Sequence, residues 1–173
     1  MLAETGGDHV SMNLQADVVI DALRTVLGSS ITVESAAVAI RHTPETDLDA
    51  LPNVSATNYP LIALEVVDEG PSDDDGYGDI KHQAQTVTIA LHFVGRNEDI
   101  AASTETSPRK YARKAAEAIA EKIAGTPQLG LSDVLDARFD GTGQSLEAKD
   151  HLRGQGLVEH AVVYSFIYST DRV

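Results

Sequence analysis

Asp73, Asp74, Asp75, Gly76, Tyr77, Gly78 and Asp79 place four carboxylates on a glycine-bent stretch, the donor type that hard cations such as calcium take. The register does not complete an EF-hand loop. With Gly78 at the invariant glycine, Asp73 and Asp75 fall at the first and third ligand positions, but Tyr77 takes the fifth and Ala84 the twelfth, where a bidentate Glu belongs. A metal-dependent hydrolase built on Asp73, Asp75 and His82 is the one enzymatic reading these residues offer. The other histidines, His9, His42, His92, His151 and His160, include no pair at the i, i+4 spacing that brings two imidazoles to one metal on a helix. His92 and His160 fall on strand patterns, where a hydrogen-bonded structural role is the simpler reading. Gly141, Thr142, Gly143 and Gln144 open like a phosphate-cradling loop, yet no helix and no Gly-Lys-Ser/Thr element follows. No serine sits in a Gly-x-Ser-x-Gly elbow, and zero cysteines exclude a thiol nucleophile, a disulfide scaffold and sulfur-ligated metals. The expectation is a non-enzymatic chain with no catalytic residue, no metal and no cofactor.

The elements around these residues read as follows. Residues 1–12 are small and polar and are expected to form a flexible arm, leaving 13–173 as one domain. Leu14, Val18, Ala22 and Val26, flanked by Val19, Leu23 and Leu27, recur at helical steps until Gly28 and Ser29. Ile31 to Ile40 reads as one strand, Thr43 to Asn58 as a long loop, and Leu61 to Val67 as a central strand entered through Pro60. Asp68 to Asp79 carries six acids in twelve residues and is expected to be an exposed, mobile loop. Gln85 to Val94 alternates, with Val87, Ile89, Leu91 and Phe93 on one face.

Ser107 followed by Pro108 signals an N-cap and a second helix, closed by Gly125, with Tyr111, Ala115, Ala118, Ile119 and Ile123 on its buried stripe and Ala112 and Ala116 off it. Leu131 to Phe139 is a further strand and Asp140 to Gly156 a loop. Leu157 to Thr170 is a final strand with Val158, His160, Val162, Tyr164, Phe166 and Tyr168 on one side. Grouped strands with two helices predict the α+β class: a mostly antiparallel sheet of about five strands with two helices packed on one face.

Thirteen Lys and Arg against 27 Asp and Glu give a formal charge of -14. Such a surface repels DNA phosphates, so tight sequence-specific DNA binding is not expected. Arg109, Lys110, Arg113 and Lys114 form the one basic cluster and read as a solvated helix face. The excess of Asp over Glu and the scarcity of Lys suit a halophilic source. Apolar runs such as Leu61 to Val67 are too short for a membrane span, and the N-terminus has no basic segment leading into an apolar one, so a soluble chain without a signal peptide is expected.

Taken in order, the N-terminal helix, the Asn58, Tyr59, Pro60, Leu61, Ile62, Ala63, Leu64, Glu65 entry to a strand, and the acidic segment before Thr86 to Val94 form a series. The alanine-rich helix from Pro108 to Ala124, Leu131 to Asp140 and the Leu157 to Tyr168 strand complete it. This series resembles the tail terminator, or tail completion, proteins of long-tailed viruses, the lambda-like family, over nearly the whole chain after residue 13. The resemblance is one of element order and carries no diagnostic motif. It implies a structural virion protein, assembled in the host cytoplasm, that forms a hexameric homo-oligomer at the head-proximal end of the tail. That ring stops growth of the tail tube protein, joins the tail to the head-tail connector or neck protein, and lets DNA pass through its lumen without specific binding, with no membrane involved. A neck or head-completion protein of the same virion is the alternative within that class. Combined with the acidic balance, the resemblance suggests a tailed virus of a halophilic archaeon. Residues expected to face a partner or a neighbouring ring subunit are Glu69, Asp73, Asp74, Asp75, Tyr77, Asp79 and Arg153.

Overall fold

The computed structural model describes residues 13–39, 41–42, 59–71, 82–103, 106–143, 152 and 154–171. The N-terminal arm, the loop over 43–58 and most of the acidic segment therefore lie outside the described residues. The element order is α1 (Asn13–Leu27), β1 (Ser30–Val33), β2 (Ala36–Ala39), β3 (Arg41–His42), β4 (Leu61–Pro71), β5 (His82–Arg96), α2 (Asn97–Ser103), α3 (Pro108–Ala124), β6 (Val134–Gly143) and β7 (Leu157–Asp171). The class is α+β, as the pattern predicts. A five-stranded sheet runs β3-β4-β5-β7-β6, antiparallel except for the two-residue β3–β4 pair, and β1 and β2 form a separate two-stranded sheet.

The alternating strand patterns are realised. Val87, Ile89, Leu91 and Phe93 of β5 meet Val158, Val162, Tyr164, Phe166 and Tyr168 of β7 in one core, together with Ile62 and Leu64 of β4. The helices cover this face, contributing Ala16, Val19, Ile20, Leu23 and Leu27 from α1, Ile100 from α2, and Tyr111, Ile119 and Ile123 from α3. A smaller cluster of Leu61, Ala63, Val94, Leu152 and Leu157, with Tyr59 against it, lies on the opposite face at one end of the sheet.

Six expectations need correction. Ile31 to Ile40 is not one strand: Glu34 and Ser35 both take positive φ (52° and 69°) and turn the chain into a β1–β2 hairpin. That two-residue loop needs left-handed backbone at both positions, and here Glu34 is tethered by Lys114 and by the Thr106 hydroxyl, 3.1 Å away. The Lys114 hydrogen bond, foremost, holds the Glu34 carboxyl below its usual range. Among the described residues there are three helices rather than two, because seven residues after β5 form α2; Gly95 lacks the Cβ that would come within 3.0 Å of Ile100 Cδ1. On α1 the buried stripe is rotated from the expected one, leaving Val18 48% exposed while Ala16 and Ile20 are buried. Asp68 to Pro71 and Asp140 to Gly143 belong to strands, extending β4 and β6 beyond their expected ends. Ser107 occupies the N-cap of α3 without a side-chain capping hydrogen bond.

On α3 the buried face is wider than the expected stripe. Ala112, Ala115 and Ala116 are all fully buried, whereas Ala118 is half-buried. Alanine is apolar but small, so its position on a periodic stripe is ambiguous, and Ala112 and Ala116 widen the buried face beyond the expected line. Ala112→Leu, Ala115→Leu and Ala116→Leu should each cost about 1–3 kcal/mol by overpacking, and Ala118→Leu less. Matched thermal melts test the order; a loss at Ala118 equal to that at Ala116 would contradict this placement.

Candidate functional site

Two groups of side chains stand out once the strands are in register. The first lies on the sheet face away from α1 and α3. Ala63, His92 and Ala161 are aligned across β4, β5 and β7, which sets Glu65 and Glu159 within reach of the His92 ring. Nδ1 lies 2.7 Å from Glu159 Oε1 and Nε2 lies 3.0 Å from Glu65 Oε2. The His92 and Glu159 side chains are 3% and 2% exposed, while Glu65 is 43% exposed. Both ring nitrogens face carboxylate oxygens, so both contacts are hydrogen bonds only with a proton in each: an imidazolium between two carboxylates, or a neutral ring with one carboxyl protonated. Further along the same face the Ser165 hydroxyl lies 2.8 Å from Thr88 Oγ1 and donates to Asp140 Oδ2 at 2.5 Å. His92 is the hydrogen-bonded structural histidine expected from its strand position, and the arrangement cross-links three strands. Among the described residues no group of three or more His, Cys, Asp or Glu could hold a metal ion. No helix of the described residues is long and apolar enough to cross a membrane.

His160 lies on the other face, beneath α3. Its Nε2 is buried without a hydrogen-bond partner among the described residues, which differs from the expected hydrogen-bonded role. Burial, foremost, pushes the His160 imidazole below its ordinary value; Glu159 opposes this, Arg113 adds to it and Glu117 opposes it. A native value below the unfolded value of 6.5 means that the native state resists protonation, so stability is present above 6.5 and is lost as pH falls through the lowered native value. His160→Gln should therefore flatten the stability profile between about pH 5 and 7, read by chemical denaturation at each pH. An unchanged slope would remove His160 as its source.

The second group comprises the described end of β4 and the basic first turns of α3. Of the expected partner residues, Glu69 is described: it sits opposite Val87, hence on the helix-facing side of the sheet, and is half-buried. Beside it the Tyr168 phenol is pushed up to about 12, chiefly by burial and also by the Glu69 charge. Asp73, Asp74, Asp75, Tyr77, Asp79 and Arg153 lie outside the described residues, as does the His82 side chain. Arg109, Lys110 and Arg113 are exposed on the first turns of α3, and Lys114 contacts Glu34.

Sequence reasoning did not single out β6. It is the outermost strand of the sheet, and Leu135 and Phe139 on it are 40% and 50% exposed, Phe139 meeting Tyr164 edge to face at 5.5 Å. Alternation alone does not tell which strand ends up at an edge.

No family model and no curated protein matches the sequence. Among solved structures, the chain is similar to the sheath/tube terminator of an extracellular contractile injection system (PVC) in its extended state. It is 12% identical, with a TM-score of 0.45 over 90% of this chain. The chain spans 56% of that structure's length.

Proposed function

We propose that this chain is a structural tail protein of the terminator type, one that forms a ring on the head-proximal end of a tail tube, ends tube growth and joins the tail to a connector. The observation that carries the reading is the pair of unlike sheet edges. Among the described residues β6 is unpaired along one edge, and at the other edge β3 pairs with β4 only at Leu61 and Ile62. Open edges present unsatisfied backbone donors and acceptors, and natural proteins cover them or use them for pairing. Because the two edges differ, copies that join through them associate head to tail, the geometry that closes into rings. The element order expected from the sequence resemblance supports the same reading, and a charge of -14 suits a lumen past which DNA slides. In this reading the ring is a hexamer, the partners are the tube protein and a connector or neck protein, and the site of action is the virion tail.

The test is tube assembly in vitro. Tube protein polymerised with increasing amounts of this chain should give shorter tubes, with the chain found at one tube end by electron microscopy. Tubes of unchanged length and bare ends would reject the reading. The acidic balance adds that thermal stability should rise as KCl is raised above about 0.2 M, where self-repulsion becomes screened. A melting temperature highest at low salt would reject the halophilic origin.

A further inference from the structure

We propose that the β1–β2 hairpin is a strap over α3, hinged at Lys122 and opened at its tip when Glu34 releases Lys114 and Thr106. The two ends of β1 are held in different ways. At the base, Lys122 of α3 donates to the carbonyls of Leu27 and Ser30, at 2.5 and 2.7 Å. At the tip, Glu34 accepts from Lys114 of α3 and from the Thr106 hydroxyl, 3.1 Å away, which lies just before α3. The spacings agree. From Ser30 to Glu34 the strand covers about 13 Å at about 3.3 Å per residue, and from Lys114 to Lys122 the helix covers about 12 Å at about 1.5 Å per residue. β1 therefore runs back along α3 with a lysine at each end and with Ile31 and Val33 buried.

Three features make the tip the end that opens. Glu34 and Ser35 hold left-handed backbone, φ 52° and 69°, on residues that carry a Cβ, so the turn is strained and depends on its contacts. Those contacts are ionic and partly exposed, 28% at Glu34 and 35% at Lys114, and salt weakens such pairs. β2 adds little hold: Ala36, Ala37 and Ala39 are exposed, Val38 is half-buried against the core, and among the described residues β2 pairs with β1 alone. A lone two-stranded hairpin is marginal in water. The base contacts, by contrast, go to backbone carbonyls at the negative end of α1 and need no partner charge. Opening the tip adds Lys114 to Arg109, Lys110 and Arg113, which are exposed on the same turns of α3. The strap thus sets how much of the basic cluster faces solvent, independently of whether the chain caps a tube.

Amide hydrogen exchange, read by NMR on the full chain, tests the strap, with the amides of β5 and β7 as the internal measure of global stability. Raising KCl from about 0.1 M to 1 M should lower the protection of Val33 to Ala39 about two- to fivefold relative to β5 and β7, the size of an exposed ion pair. Hairpin protection that rises in step with the core would overturn the proposal. Glu34→Gln, which keeps the size and removes the charge, should give the same loss at low salt and abolish the salt dependence. Unchanged protection in that variant would overturn the tip contact as the latch. Adding Ser35→Gly to Glu34→Gln should restore protection toward wild type, because glycine takes the left-handed turn without strain; no recovery would overturn the strained turn as the drive to open. Lys122→Met should loosen Gly28 to Ile31, and loosening confined to the tip in that variant would overturn the hinge.

Discussion

Replacing His92 by leucine is expected to destabilise the protomer by about 3–5 kcal/mol, the cost of removing one member of a buried, hydrogen-bonded pair of ionisable groups. The change takes away the ring N–H that Glu159 Oε1 accepts, and the Glu159 side chain, 2% exposed, has little water to turn to. Glu65 is the cheaper member of the set. At 43% exposure it can rehydrate, so Glu65→Gln should cost about 1 kcal/mol or less. The double variant His92→Leu with Glu159→Leu should recover much of the loss, since replacing both partners of a buried pair by apolar groups leaves no stranded polar group. Urea denaturation of the two single variants and the double variant gives the coupling energy. A His92→Leu cost below about 1 kcal/mol, or no recovery in the double variant, would mean that the imidazole does not organise this face.

Phe166→Ala should cost about 3–5 kcal/mol for a different reason, the cavity left in the main core. Phe166 is fully buried on β7 with its ring stacked on Tyr164, centroids 5.9 Å apart, and the Tyr164 hydroxyl donates to the Ala120 carbonyl of α3 at 3.2 Å. The same ring therefore supports both the sheet and the seat of the helix. Phe166→Leu should lose clearly less, because it keeps most of the volume. Equal losses in the two variants, by calorimetry, would show that ring stacking rather than volume sets the effect.

How much of this was legible in the sequence depends on range. β5 and β7 alternate strongly because one face meets a core, and a period of two survives any error in strand ends. The proline start and glycine end of α3 are local signals and give its limits directly. The β1–β2 turn was not legible, because Glu34 and Ser35 are not the Asn-Gly or Asp-Gly types that announce a two-residue loop. Helix α2 is two turns long and gives no sustained period. The His92 contacts were out of reach altogether: Glu65 and Glu159 are 27 and 67 residues away in sequence, and strand register alone brings them to one ring. The expected partner residues were chosen mainly for charge in one segment, and of them Glu69 alone falls among the described residues.

Lys122 on α3 donates to the carbonyls of Leu27 at 2.5 Å and Ser30 at 2.7 Å. These carbonyls belong to the last turn of α1 and the strand after it, where Gly28, at φ 66°, turns the chain and a cation suits the negative helix end. The donor is encoded 95 residues after its first acceptor. During synthesis, then, α1 leaves the ribosome well before the residue that finishes its C-terminus. A chain truncated before Lys122 should therefore lack the cation that satisfies the last-turn carbonyl of α1 and fray there first, read by amide exchange.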